Sequence, residues 1–390
     1  MAPASDQPKI FISTGEASGE HYAAQLIPAI RKLAPNAEFF GLGGQRMEAL
    51  GFRRIVRAED VAVMGITEII QHIPRIYGEY RKLKVSIAKE RPDAAILIDF
   101  PDVNLSLART LHKLGVPVIY FVSPQLWAWK KYRIHKVRRF VDRMLVIFPF
   151  EQSFYREHGV NARFVGHPLA EVPLPSISRK DFADQYSLDP SKSWVGLLPG
   201  SRFKEVRLNL PEMIEAASQL QEPLEFLVPL APTLTPEHVA HVRTMLPADG
   251  LPAGGPRITL VEDARATLHH ARASVVASGT ATVEAALIGN PFIVVYRVSQ
   301  LTYSVAKRVV KVPHVAMVNL IAGREVVPEL IQSDFTAGNV ASHLQNLLHN
   351  ERARAKMHAD LAQVSATLHA DKSPIEQVAS ITVELMGPAR

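Results

Sequence analysis

Residues 96–104 read ILIDFPDVN. From Ala94 the run stays apolar until Asp99, so it reads as a strand buried on both faces that ends in a carboxylate. A strand of this kind belongs to a parallel sheet covered by helices. The rest of the N-terminal half repeats the pattern. Short apolar runs at 9–13, 38–42, 116–122 and 143–148 read as further strands, and 21–33 reads as an amphipathic helix. Ile66, Ile69, Ile70, Ile73, Ile76 and Tyr77 fall on one helical stripe. A Pro- and Ser-bearing stretch, AEVPLPSISRKD at 170–181, reads as a linker. The alternation then restarts, with strands expected at 195–198, 224–228, 258–261, 273–277 and 292–296 and helices over 206–220 and 280–288. Residues 337–386 read as helical, with a break at 371–374. The expectation is an α/β chain of two doubly wound domains, 1–170 and 171–365, with a helical C-terminus at 366–390. The cleft between the domains is the expected ligand site.

Composition narrows the chemistry. The chain has 390 residues, and at roughly 100–200 residues per domain two domains are expected. A hydrophobic fraction of 47% supplies two cores. Cysteine is absent, which excludes disulfides, cysteine nucleophiles, iron–sulfur clusters and Cys-ligated zinc. Lys plus Arg exceed Asp plus Glu by 44 to 38, a net charge of +6 that favours anionic partners: nucleotides, phosphorylated substrates, nucleic acid or an anionic membrane. The opening MAPASDQPK carries no apolar signal segment, and no run approaches the about 18 apolar residues of a membrane span. Membrane contact is therefore expected to be peripheral.

Six stretches are able to carry chemistry. GEASGEH at 15–21 follows the first strand. Gly15 and Gly19 let backbone approach a ligand, and Ser18 is placed to cap the next helix. It lacks the Lys-Ser/Thr of a Walker loop, and Glu16 and Glu20 repel phosphate, so a sugar hydroxyl is the better partner than an anion; a plain strand-to-helix turn is the bland alternative. Asp99 sits at the carboxyl edge of its strand, where a carboxylate among apolar neighbours can serve as general base, whereas Asp102 and Asn104 read as caps of the following helix. YFVSPQLWAWKKYRIHKVRR at 120–139 runs into a basic amphipathic helix over 130–143, with Ile134, Val137 and Val141 on its apolar stripe. It is either a solvated face or, with Trp127 and Trp129 beside it, an anionic or membrane surface; no nucleic-acid motif accompanies the charge.

In LLPGSRFKEV at 197–206, Ser201 and Arg202 open a helix whose N–H groups, with the Arg202 fork, suit a phosphate; a capped turn with a surface arginine is the alternative. In ASGTATVEAALIGNP at 277–291, Ser278, Gly279 and Thr280 offer donors to an anion. Glu284, a turn further on, is placed for ribose hydroxyls, or else is a solvent-facing helix acid. Asn319, Arg324 and Glu325 are polar groups in the otherwise apolar 317–330 and read as part of a loop leading into a helix. The nucleotide is therefore expected in the second half.

Taken together and in this order, GEASGEH, VAVMGITEII (61–70), IDFPD, VSPQLWAW, FPFE (148–151), VGHPL (165–169), LLPGSR, ASGTATVEAAL and NLIAGRE resemble the lipid-A-disaccharide synthase family, inverting glycosyltransferases of the GT-B architecture, from about residue 9 to about 330. The resemblance implies transfer of 2,3-diacylglucosamine from UDP onto the 6-hydroxyl of 2,3-diacylglucosamine 1-phosphate, giving a β-1,6-linked disaccharide 1-phosphate and UDP. It implies Asp99 as the base, Arg202 on the diphosphate, and Ser201, Ser278, Gly279, Thr280 and Glu284 completing the UDP site. Asn319, Arg324 and Glu325 fall in a motif that reaches the donor, and Glu16 faces them. No cofactor and no metal are implied. The family works at the cytoplasmic face of the inner membrane as a peripheral protein and forms homodimers, with no nucleic-acid partner. Another UDP-sugar GT-B enzyme, such as a UDP-N-acetylglucosamine 2-epimerase, is the alternative.

Overall fold

A computed structural model of the chain describes residues 7–62, 69–220, 222–246, 257–299, 303 and 312–387, with the side chains of Ala17 and of 61–76 outside the description. The stripe read at 66–76 lies outside the described side chains, and Tyr77 beyond it is 66% exposed.

The chain divides into two compact units, Met1–Glu171 with Leu368–Arg390, and Val172–Thr367. The first holds a seven-stranded sheet of β1 (Lys9–Thr14), β2 (Glu38–Gly43), β3 (Phe52–Arg57), β4 (Ala94–Ile98), β5 (Val118–Phe121), β6 (Arg143–Val146) and β7 (Ala162–Phe164) in the order β3-β2-β1-β4-β5-β6-β7. The second holds six strands, β8 (Trp194–Leu198), β9 (Glu225–Pro229), β10 (Arg257–Val261), β11 (Ala273–Ala277), β12 (Phe292–Tyr296) and β13 (Glu329–Ile331), in the order β10-β9-β8-β11-β12-β13. Every pairing is parallel. Each unit is therefore doubly wound, with the order reversing between β1 and β4 and between β8 and β11.

The central strands β4, β8 and β11 are buried along their whole length, which is why they read as unbroken apolar runs. Phe11, Phe40, Leu97 and Tyr120 anchor the first core, and Leu197, Phe226, Val275 and Phe335 the second.

The helices that matter for the site are α1 (Ala17–Leu33), α2 (Pro101–Lys113), α3 (Ile134–Phe140), α4 (Pro149–Glu157), α5 (Phe203–Ser218), α6 (Ala264–His270), α7 (Thr280–Ile288), α8 (Met317–Ala322) and α9 (Pro374–Met386). The last packs on α1 of the first unit, and its buried Gln377 reaches β7, donating to the Val165 carbonyl just beyond that strand at 2.9 Å and accepting from Arg163 at 3.0 Å.

Three edge strands escape the apolar-run reading. β3 carries Arg53, Arg54 and Arg57, and β7 and β13 are only three residues long. The basic segment is also shorter as a helix than 130–143: a 3-10 turn at Lys131–Arg133 leads into α3, and Arg143 already opens β6. Val137 and Val141 are buried on the core, and Lys131, Lys136 and Arg138 are exposed.

Candidate active site

In the first unit, β1 and β4 flank the reversal of strand order, and their carboxyl ends lead into Gly15–Glu16 and into Asp99. Doubly wound sheets take their ligands at this edge. Asp99 and Phe100 have φ of 46° and 47°, two consecutive left-handed non-glycine residues. Each costs about 1–3 kcal/mol and persists only where surrounding bonds hold it. Those bonds are present. The Asp99 carbonyl accepts from Tyr120 Oη at 2.5 Å and from Asn104 Nδ2 at 2.7 Å, and the Asp99 N–H donates to the Phe121 carbonyl at 3.2 Å. Burial pushes the Tyr120 phenol well up and nearby Asp99 adds to the shift, so Tyr120 stays a donor. Asp99 itself is half-buried.

The capping roles read for Asp102 and Asn104 are corrected. Helix α2 has no side-chain cap; Phe100 occupies the cap position and Pro101 opens the helix. Asn104 is fully buried. Its amide donates to the carbonyls of Asp99, Ile98 (3.1 Å) and Ser13 (3.3 Å), and its Oδ1 accepts from Ser13 Oγ at 2.6 Å. Asp102, 69% exposed, pairs with Arg133 and stands 4.0 Å from Lys130.

The glycines of the first motif serve packing in place of the ligand approach expected of them. A Cβ on Gly15 would lie 2.6 Å from the Phe100 ring, and one on Gly19 would lie 2.2 Å from Thr14 Oγ1. The space they leave is therefore filled by the turn that carries Asp99 and by β1. Glu16 is exposed at the N-cap of α1, and the Glu20 carboxylate is taken by the Arg46 N–H at 2.8 Å.

In the second unit, β8 and β11 flank the reversal and lead into Ser201–Arg202 and Ser278–Thr280. At the first turn the Glu205 carboxylate sits where the N–H groups were expected to meet phosphate. Its Oε2 accepts from Ser201 N at 3.1 Å and Arg202 N at 3.2 Å. The Arg202 guanidinium, 3.5 Å from Glu205 Oε1 with the side chain 71% exposed, is what this turn presents to solvent.

At the second turn, Gly279 (φ 153°) and Thr280 are exposed, while Ser278 is half-buried with Oγ 3.5 Å from the Val315 carbonyl. Glu284, on α7, is not solvent-facing: burial pushes its carboxyl up, and Arg265 of α6 opposes the shift from 3.9 Å. The Tyr296 phenol at the end of β12 is raised by burial and by Glu205.

The 317–330 motif is a helix, a turn and a strand, where a loop into a helix was expected. Asn319 is fully buried on α8. Its Oδ1 accepts from Val326 N (2.8 Å) and Val327 N (3.0 Å), and its amide donates to the Val327 carbonyl (2.9 Å) and Glu329 Oε1 (2.7 Å). Arg324 forks onto Asp360 at 2.7 and 3.3 Å, and Glu325 is exposed. Asn319 thus shapes the turn that displays its neighbours. Among the described residues no group of three or more His, Asp or Glu is arranged to hold a metal.

Reading the sequence missed Glu205, Tyr296, Arg265 and Tyr120. Only Glu205 has a local signal, since it stands three residues after the N-cap Arg202, the capping-box spacing.

Two doubly wound sheets with ligand-type turns at both switch points define a GT-B glycosyltransferase fold. Solved structures share it: the UDP-GlcNAc 2-epimerase from Neisseria meningitidis bound to UDP-GlcNAc (TM-score 0.56, 12% identity, 97% of this chain and 98% of that), S. aureus MnaA with UDP (0.61, 14%, 97% of this chain and 96% of that) and the calicheamicin glycosyltransferase CalG4 (0.58, 14%, 98% and 99%). The profile of the lipid-A-disaccharide synthetase family matches residues 10–382, and the chain belongs to that family. It is 67% identical over 389 residues to the lipid-A-disaccharide synthase of Acidobacterium capsulatum (98% of this chain, 97% of that protein). It is 51% identical over 366 residues to that of Koribacter versatilis (94% of each).

Proposed function

We propose that the enzyme transfers 2,3-diacylglucosamine from UDP onto the 6-hydroxyl of 2,3-diacylglucosamine 1-phosphate, with inversion, releasing UDP and a β-1,6-linked disaccharide 1-phosphate. The observation that carries the reading is Asp99, a half-buried carboxylate at the switch point of the first sheet whose main chain is held in a strained conformation from both sides. In this reading the Asp99 carboxylate takes the proton of the acceptor 6-hydroxyl as its oxygen attacks the anomeric carbon. The bond to the UDP oxygen breaks and the electron pair leaves with UDP. Arg202 and the donors of Ser278, Gly279 and Thr280 stabilise the negative charge that develops on the diphosphate, so no metal is required.

Ser201 belongs to the same turn, with Glu205 holding its N–H. Glu284 accepts the ribose hydroxyls. Glu16 and Glu325 are exposed and suit sugar hydroxyls. Asn319 and Arg324 shape the turn that carries Glu325. The unit with Asp99 activates the acceptor, and Val172–Thr367 holds UDP.

The substrates carry four acyl chains, and exposing them to water costs roughly 0.8 kcal/mol per CH₂, so the reaction belongs at a bilayer surface. Among the described residues no helix is long and apolar enough to cross a membrane. Exposed Trp129 (43%) and Tyr132 (63%) beside Lys131, Lys136 and Arg138 support peripheral contact with an anionic leaflet. The reading includes work at the cytoplasmic face of the inner membrane and a homodimer. Incubation with both acylated substrates and mass spectrometry for the disaccharide 1-phosphate tests it. Epimerisation of UDP-N-acetylglucosamine with no disaccharide formed overturns it.

A further inference from the structure

One buried ionisable group takes no part in the chemistry above. Glu151, in the first turn of α4, is 1% exposed. Its Oε1 accepts from Ser123 Oγ at 2.6 Å and from Trp127 Nε1 at 3.1 Å, and its Oε2 accepts from the Phe148 N–H at 3.2 Å. Ser123 and Trp127 belong to the segment 122–129 that leaves the carboxyl end of β5; Phe148 precedes α4. One carboxyl group therefore joins the segment after β5 to the turn after β6. The same segment is held by Tyr155 Oη, which donates to the Pro124 carbonyl at 2.7 Å, and by an edge-to-face contact of Trp127 on Phe150.

This segment adjoins Asp99. Strands β4 and β5 are neighbours, with Ile98 paired to Phe121. The Phe121 carbonyl accepts the Asp99 N–H, and Tyr120 holds the Asp99 carbonyl. The residue after Phe121, Val122, is itself left-handed at φ 61°, and its N–H is tied to the Leu145 carbonyl at 3.1 Å. The segment fixed by Glu151 thus begins one peptide from the group that holds Asp99. A buried carboxyl is a costly way to fasten a loop, because burial disfavours the charge. It gives in return a point where three donors converge with defined directions.

We propose that Glu151 is a positioning residue for the acceptor side of the reaction, fastening segment 122–129 so that the Asp99 turn keeps its reactive geometry. The role rests on the reading of Asp99 as the base. Burial pushes the Glu151 carboxyl up to about 7, opposed by the hydrogen bonds from Ser123 and Trp127. Trp127 Nε1–H and the Phe148 N–H can only donate, so they favour the carboxylate and work against the burial.

The test uses the full chain with Glu151→Gln, Ser123→Ala and Trp127→Phe. Steady-state kinetics for each substrate, well below the melting temperature, are joined by UDP affinity from calorimetry and hydrogen exchange of peptides over 122–129. Glu151→Gln is expected to lower kcat/KM for the acceptor by roughly 10–100-fold, the scale of a misplacement of about 1 Å. UDP affinity is expected to stay within about twofold, and exchange over 122–129 to accelerate while β8 to β13 keep their protection. Ser123→Ala and Trp127→Phe each remove one donor and are expected to give smaller losses in the same parameter; they decide the matter if Glu151→Gln does not fold. Wild-type acceptor kinetics with only a lowered melting temperature would reduce Glu151 to packing and overturn the role. So would unchanged exchange over 122–129, or an equal fall in UDP affinity. A wild-type enzyme that forms no disaccharide overturns the reading of Asp99 instead, a result visible before any variant is made.

Discussion

Ser13 and Asn104, 91 residues apart, meet in a buried 2.6 Å hydrogen bond across the switch point of the first sheet. The bond joins the end of β1 to the first turn of α2, and the same Asn104 amide holds the Asp99 carbonyl at 2.7 Å. Asp99 is thus held through a residue that never needs to touch substrate. Asn104→Ala removes the acceptor of Ser13 Oγ and a donor to three carbonyls. Each buried orphan costs about 1–3 kcal/mol. We expect a stability loss of about 2–4 kcal/mol in chemical denaturation, with turnover falling in the fraction that remains folded. Full activity at unchanged stability would contradict this.

Asp99→Ala is expected to lower turnover by roughly 10²–10⁴, the range for a positioned base, and to leave UDP affinity near the wild-type value. Isothermal titration with UDP and a disaccharide assay on one preparation check both halves. Turnover equal to wild type would remove Asp99 from the mechanism.

Stability should carry a pH signature of Glu151. Its carboxyl titrates at about 7 in the folded protein against 4.5 ordinarily. The fold therefore prefers the protonated form. This group's contribution is fully present below about pH 4.5 and is lost as pH rises through about 7. At 1.36 kcal/mol per unit the swing is roughly 3 kcal/mol. Buried His167, whose ring lies beside Phe148, runs the other way: desolvation lowers it from 6.5 to about 3, so stability falls as pH drops below about 6.5. Tyr155, the other titratable group beside Glu151, is pushed above this window. Comparison with Glu151→Gln cancels the histidine contribution. Urea unfolding at pH 5 and pH 8 should show the variant gaining on wild type as pH rises. A difference independent of pH would show that Glu151 does not change its protonation there.

Charge reversal at Lys131, Lys136 and Arg138, replaced together by Glu, should weaken sedimentation with anionic liposomes at low salt and spare activity on acceptor dispersed in detergent. Each basic residue near an anionic leaflet contributes about 1 kcal/mol, screened by salt. These three are exposed, whereas Arg133 is committed to Asp102. Wild-type vesicle binding by the triple variant would make this face merely solvated.

How much of this was legible depended on how local the physics is. β11 and the helix that opens at Thr280 fall where the apolar run and Gly289 place them, because burial on both faces and a left-handed glycine end are properties of adjacent residues. Asp99 stood out for the same reason, as a charge ending an apolar strand. Asn104 was read as a cap because a polar residue in a first helical turn ordinarily is one; its partners on β1 are invisible until the sheet forms. The links of Glu151 span 24 and 28 residues and carry no periodic signal. At Ser201 the N–H groups that suit a phosphate have an internal competitor, Glu205, whose carboxylate accepts from them once the helix forms.

The first unit is closed by the last part of the chain, since Leu368–Arg390 belongs to it and helix α9 lies on α1. During synthesis the ribosome therefore releases residues 1–171 without the helix that covers part of their apolar surface, while Val172–Thr367 is contiguous and already has all of its own strands when its end emerges. The half that carries Asp99 begins first and finishes last. A stop codon or a protease cut shortly before Pro374 would leave Gln377's partners, the Val165 carbonyl and Arg163, unsatisfied in a unit whose residues were made hundreds of codons earlier. The first unit is therefore complete only once the segment Pro374–Met386 has been made and has docked on α1.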